Sequence, residues 1–244
     1  MMPTTRCMVV LLFIAALLQG CAVTQTNRTS TDLFKQGELL YLKGKYTEAI
    51  AQWKRVKESY QSPELTTQAE IGIANAYFQN KEYIESAVAY EDFRKLHPSH
   101  PQAGLALFHQ GMSYYNQFTS IDTDQTPIKN ALAIFDSYQK QYPTGDLLVD
   151  AQIKIIECRD KQLQYELYVG NFYLKTKAYK AAIGRFEEAL KSYTGTAHRD
   201  EILFYLGRSY FEDGQKPKGR EIFGQLSREF PDSSYITRAR KVMD

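Results

Sequence analysis

Two pairs of side chains in this 244-residue chain are spaced as chemistry would need them. His97-Pro98-Ser99-His100 sets two imidazoles three residues apart, a spacing that a bound metal ion could use. No cysteine or carboxylate beside them completes a ligand set, and the stretch reads as a turn between helices. Asp122 and Asp124 flank Thr123 and could serve as a carboxylate pair for acid–base hydrolysis. In a polar loop the same residues make turns and cap helices, which is the simpler reading. The other histidines, His109 and His198, stand apart. Phosphate loops, nucleotide-type glycine runs and nucleophile motifs do not occur. The reading therefore assigns no catalytic residue, no metal and no cofactor, and takes the chain as a binding protein and not an enzyme.

The cysteines are Cys7, Cys21 and Cys158, and only Cys21 has a sequence context for covalent chemistry. Arg6 precedes an unbroken apolar run from Met8 to Leu18, which is too short to span a bilayer and reads as a secretory signal. Leu18-Gln19-Gly20-Cys21 resembles a bacterial lipobox. Residues 1–20 are then a signal peptide, and Cys21 is the residue that carries lipid, palmitate among its acyl chains. Residues 21–31 form a small, polar tether. Ala22 in place of aspartate points to outer-membrane delivery, with the protein on the periplasmic face. Cys7 leaves with the signal, so Cys158 has no partner for an internal disulfide and reads as buried and structural. Loss of Arg6 leaves 29 basic side chains against 28 acidic, a net charge near +1, and excludes the basic surplus that nucleic acid needs.

The elements that follow repeat. Small residues fall at Gly37, Ala74, Gly111, Gly170 and Gly207. Twelve residues on come Ala49, Ser86, Ala182 and Gly219, and four further on the aromatics Trp53, Tyr90, Phe186 and Phe223. In the third unit the equivalents are Ala131 and Phe135, displaced by eight extra residues. Small residues let paired helices approach, and aromatics fill the gap between stacked pairs. This is the tetratricopeptide register. The expected fold is an all-α tetratricopeptide-repeat α-solenoid of five helix pairs with a C-terminal capping helix over Ser233–Met243. Residues 32–143 hold repeats one to three, and residues 144–244 hold repeats four and five with the cap. Within repeat four, the period over Asp146–Lys177 predicts one spine helix of 32 residues, about 48 Å long. Its extra fourteen residues amount to about four turns, which preserves facing.

First helices of such pairs line a concave groove. Tyr41, Phe78 and Tyr115 recur there at intervals of 37, with Phe34 and Phe108 about two turns earlier. These five are expected to line a groove for an extended, aromatic-containing client segment. Leu40, Tyr77 and Tyr114 read as core.

The run Ile121-Asp-Thr-Asp-Gln-Thr-Pro127, then Asn130-Ala131-Leu132, Phe135, Tyr142-Pro143, the long spine, Tyr173-Leu174 and Ala181-Ala182-Ile183 resembles the BamD family. These are lipoproteins of the outer-membrane β-barrel assembly machine. The resemblance covers essentially the whole chain after the signal. It implies an outer-membrane protein assembly factor that helps insert β-barrel proteins. Implied partners are a BamA-like barrel protein held through its POTRA domains, other assembly lipoproteins and unfolded outer-membrane protein precursors. It also implies that Arg199 and Asp200, after His198, contact the assembly partner. Two other readings stand beside it: a periplasmic repeat adaptor coordinating cell-wall or division proteins, and, more remotely, an envelope hydrolase using Asp122 and Asp124.

Overall fold

The computed structural model describes residues 29–244; the signal peptide, Cys21 and most of the tether lie outside the described residues. Among the described residues are eleven helices and no strand. They are α1 (Ser30–Leu42), α2 (Tyr46–Ser59), α3 (Pro63–Gln79), α4 (Tyr83–Leu96), α5 (Ala103–Gln117), α6 (Thr126–Gln141), α7 (Leu148–Lys175), α8 (Tyr179–Ser192), α9 (Arg199–Glu212), α10 (Lys216–Glu229) and α11 (Tyr235–Met243). Consecutive helices pack antiparallel in five pairs, and α11 closes the last, as the tetratricopeptide register requires.

Local chemistry explains the ends. Thr29 and Asp32 form a reciprocal capping box at α1, and Ser62 caps α3 with Pro63 in its first turn. The spine α7 and the capping helix α11 each start two residues later than the periodicity predicts. His97 to Ala103 fold into successive turns, and α5 opens at Ala103. Leu148 donates to the Gly145 carbonyl and Leu147 to the Tyr138 hydroxyl, which takes two residues from the start of the spine, and a left-handed Lys177 (φ 62°) takes two from its end, so α7 has 28 residues, about 42 Å.

The small-to-aromatic register has a direct steric cause. A β-carbon added at Gly37 would lie 2.4 Å from the Trp53 ring, at Gly111 2.7 Å from Phe135, and at Gly170 and Gly207 2.5 Å from Phe186 and Phe223. Each ring occupies the space that the glycine leaves, and Phe135, Phe186 and Phe223 are almost wholly buried. Their cores are separate. Ala151, Ile155 and Cys158 of α7 pack with Leu107, Ile128, Phe135 and Tyr138 of repeat three. Leu163, Leu167 and Leu174 of the same helix pack with Phe186, Ile202 and Leu206 of repeats four and five. The spine therefore belongs to both arrays, its first half to one and its second half to the other. Cys158 is buried there, and burial, more than the nearby Glu157, pushes its thiol up to about 12, which keeps it unreactive.

Two glycines test this packing. Gly170→Ala meets the Phe186 ring and should destabilise by about 1–3 kcal/mol through overpacking. Gly184 in α8 has nothing within 4 Å of its would-be β-carbon. Gly184→Ala should stabilise by about 0.5–1 kcal/mol through helix propensity. Equilibrium urea unfolding reads both, and shifts of the same sign would contradict the packing account.

Candidate functional site

The expected groove residues sit on the first helices of repeats one to three, and the structure does not treat them alike. Tyr41 and Phe78 are half-buried and make the same contact: each ring meets edge-on the tyrosine that opens the next helix. Tyr41 lies 5.3 Å from Tyr46, and Phe78 lies 5.7 Å from Tyr83. Phe34 is half-buried and tilted against Trp53 at 6.3 Å, and the Trp53 indole donates to the Phe34 carbonyl. Phe108 is a core residue, 9% exposed, closed over by Phe135 at 5.5 Å and Tyr138 at 5.9 Å. It faces inward because repeat three supplies two large rings above it.

In the third repeat the insertion removes the tyrosine that would follow, and Tyr115 turns to the spine instead. Lys154 Nζ lies 4.6 Å from its ring centroid and Lys161 Nζ 5.6 Å, with Lys161 also over Phe118 at 4.8 Å. Burial, and then a hydrogen bond with Glu157, raise the Tyr115 hydroxyl pKa. Burial alone would raise the Glu157 carboxyl, yet hydrogen bonds from Lys154 and Tyr115 hold it below the usual range. His109 meets Phe78 edge-on at 5.3 Å and stacks on Tyr90 at 5.6 Å, and burial lowers its pKa so that it stays a neutral ring. Phe34, Tyr41, Phe78 and Tyr115 are thus half-covered rings on successive first helices, with two lysines over the last.

The insertion folds on itself. Asp124 accepts from the Thr126 amide and hydroxyl at 2.9 and 2.8 Å, opening α6, and Asp122 accepts from the Ser120 hydroxyl. Both carboxyls are exposed and shifted downward by those hydrogen bonds, so they are ionised turn and cap groups. A general acid needs the opposite shift. His97 and His100 are likewise engaged apart, His97 with Glu70 at 2.6 Å and His100 as acceptor from the Gln102 amide. Among the described residues no cluster of three metal-ligating side chains forms.

At the start of α9 the structure places His198, Arg199 and Asp200 together. Arg199 Nε donates to Glu229 at 2.8 Å, tying α9 to the end of α10. Asp200 accepts from Ser233 at 2.6 Å, and His198 reaches back to Asp160 of the spine at 3.1 Å. These groups knit repeat five to its neighbours. Beside them a cleft of about 480 Å³ is lined by Ile121 and Asp122 of the insertion, Tyr168 and Asn171 of the spine, and His198 and Glu201. A second cleft of about 800 Å³ is lined by Leu132, Ile156, Leu163, Tyr193 and Ala197. Both exist because the added turns of α7 part the two arrays. Leading into the second, Val149, Ile153 and Ile156 leave an exposed apolar stripe on the spine, which sequence reasoning missed. Its signal was a second run at helical steps on the same helix, offset from Ala151, Ile155 and Cys158.

A family model described as outer membrane lipoprotein, YfiO, matches residues 26–222. The chain belongs to the YfiO family of outer membrane lipoproteins. It is 28% identical to the outer membrane protein assembly factor BamD of Rickettsia prowazekii, over 99% of this chain and 98% of that one. It is 26% identical to BamD of Caulobacter vibrioides, over 95% of this chain and 78% of the relative. Among solved structures, the TPR2AB-domain:pHSP90 complex of yeast Sti1 is similar over 88% of this chain and 81% of that one, at 12% identity and a TM-score of 0.46.

The Arg199–Glu229 tie makes a pH prediction for this family member. Hydrogen bonds from Arg199 and Gln225 hold the Glu229 carboxyl below the usual range. A depressed folded pKa gives stability that is present above the unfolded value, about 4.3, and lost as pH falls through the folded one. The pair is partly exposed, so screening limits it to about 1 kcal/mol or less. Arg199→Gln should lower the melting temperature slightly at neutral pH, and the gap to wild type should close between about pH 5 and 3. A gap that persists unchanged across that window would contradict the assignment.

Proposed function

We propose that this outer-membrane protein assembly factor works as a non-catalytic, lipid-anchored scaffold on the periplasmic face, held by acyl chains on Cys21. Its full-length match to the Rickettsia assembly factor, with spans of 99% and 98%, carries the reading. The two arrays divide the work. Repeats one to three receive unfolded outer-membrane protein precursors along the aromatic row of Phe34, Tyr41, Phe78 and Tyr115. Their half-covered rings supply apolar stations at the 37-residue repeat, suited to an extended segment. Repeats four and five hold a BamA-like barrel protein through its POTRA domains, with Arg199 and Asp200 at the contact and other assembly lipoproteins beside it. The spine holds these two surfaces at a fixed separation.

In the adaptor alternative, cell-wall or division proteins would occupy the same groove. A photo-crosslinker at Phe78, activated in growing cells, separates the two. Adducts with newly exported barrel precursors are expected; adducts confined to cell-wall or division proteins, or none, would overturn the client assignment. For the partner contact, Arg199→Glu should weaken binding of the soluble POTRA segment by about tenfold. Unchanged binding removes Arg199 and Asp200 from that interface.

A further inference from the structure

Every second helix of a pair ends on a ring: Tyr60, His97, Tyr142, Tyr193 and Phe230 follow α2, α4, α6, α8 and α10. In the last four the cap backbone shares one conformation, with φ between −136° and −114° and ψ between 58° and 66°, and the side chain is half-buried. Tyr60 departs from the pattern. Its backbone is left-handed, φ 49° and ψ 22°, a conformation that favours glycine, and its ring is 89% exposed. The fold holds a strained tyrosine and gains little packing from its ring.

The ring stands where the chain enters the fold. Ser30, the first residue of α1, has its hydroxyl 2.7 Å from the Ser59 hydroxyl and donates to Gln61 Oε1 at 2.9 Å. These partners flank Tyr60 on either side. From Thr29 back to Cys21 the chain has only eight steps, at most about 28 Å when fully extended. A lipid on Cys21 therefore keeps the Tyr60 corner close to a bilayer surface. The corner suits that surface. Tyr60, Pro63 and the 62%-exposed Leu96 border one groove, and Lys54, Lys57, Glu58 and Glu70 stand with Tyr60 around the adjoining one, where Lys57 pairs with Glu70 at 3.2 Å and Lys54 is the cation left for a headgroup. Tyrosine rings settle at the membrane interface with the ring toward the acyl boundary and the hydroxyl among headgroups, and lysines reach the phosphates.

We propose that the Tyr60 corner, with Leu96 beside it, rests in the headgroup layer of the membrane that holds the lipid. This rests on the Cys21 anchor of the proposed function and goes beyond it. The tether alone limits distance, whereas the ring contact fixes which end of the solenoid lies on the membrane.

The test uses the full lipidated protein in phosphatidylethanolamine–phosphatidylglycerol vesicles. The chain's one tryptophan, Trp53, is buried, so wild type gives a background to subtract from a Tyr60→Trp variant. A Met243→Trp variant reports the other end of the array. Lipids carrying a spin label near the headgroup should quench the residue-60 emission about threefold more than the residue-243 emission, with a blue shift on reconstitution. Equal quenching with Cys21 shown by mass to be lipidated overturns this proposal and leaves the anchor standing. Absence of lipid on Cys21 overturns both. A blue shift that needs no vesicles and follows protein concentration assigns the corner to a second copy, and also overturns it.

Discussion

An aromatic ring lying where a glycine lacks its β-carbon sets the geometry of this solenoid. At Gly37, Gly111, Gly170 and Gly207 any side chain would strike the ring of Trp53, Phe135, Phe186 or Phe223. The contact brings two helices of a pair close enough to exclude water, and the same ring then meets the next pair. Rings of this size bury enough apolar surface to dominate each local core. Four of the five repeats use this contact, and repeat two sets Ala74 and Tyr90 in one core in its place, so the direction of the first helices is inherited from pair to pair.

The spine is the one place where this inheritance is stretched. Its first half completes the core of repeat three and its second half opens the core of repeat four. About four added turns keep the same face inward on both sides, so the arrays stay in register while the gap between them widens. That gap produces the two clefts, brings the tip of the insertion beside His198, and lets spine lysines cover Tyr115. This chain of the outer membrane lipoprotein family thus has two helical arrays joined through one 28-residue helix.

Much of this was legible in the residues. Repeat number, the insertion, the spine and the capping helix all follow from small and aromatic residues at fixed intervals, because those positions are sterically forced. Helix ends shifted by one or two residues where a turn competed, as at Gly145–Leu147. Side-chain fate was less legible. Phe34 and Phe108 occupy equivalent positions, yet only Phe108 has Phe135 and Tyr138 to close over it. Arg199 and Asp200 were expected at a partner contact, and their bonds to Glu229 and Ser233 depend on residues thirty or more positions away, which no local pattern announces. Tyr60 shares its repeat position with four tucked rings, and only its backbone angles reveal that it points outward.

The most direct test of the account is gentle detergent extraction of the tagged, lipidated protein, followed by identification and quantification of what remains bound. The account predicts a barrel protein with POTRA domains in near-equal amount. Recovery with cell-wall synthases or division proteins and no such barrel protein would leave the solenoid standing and contradict its role in barrel assembly.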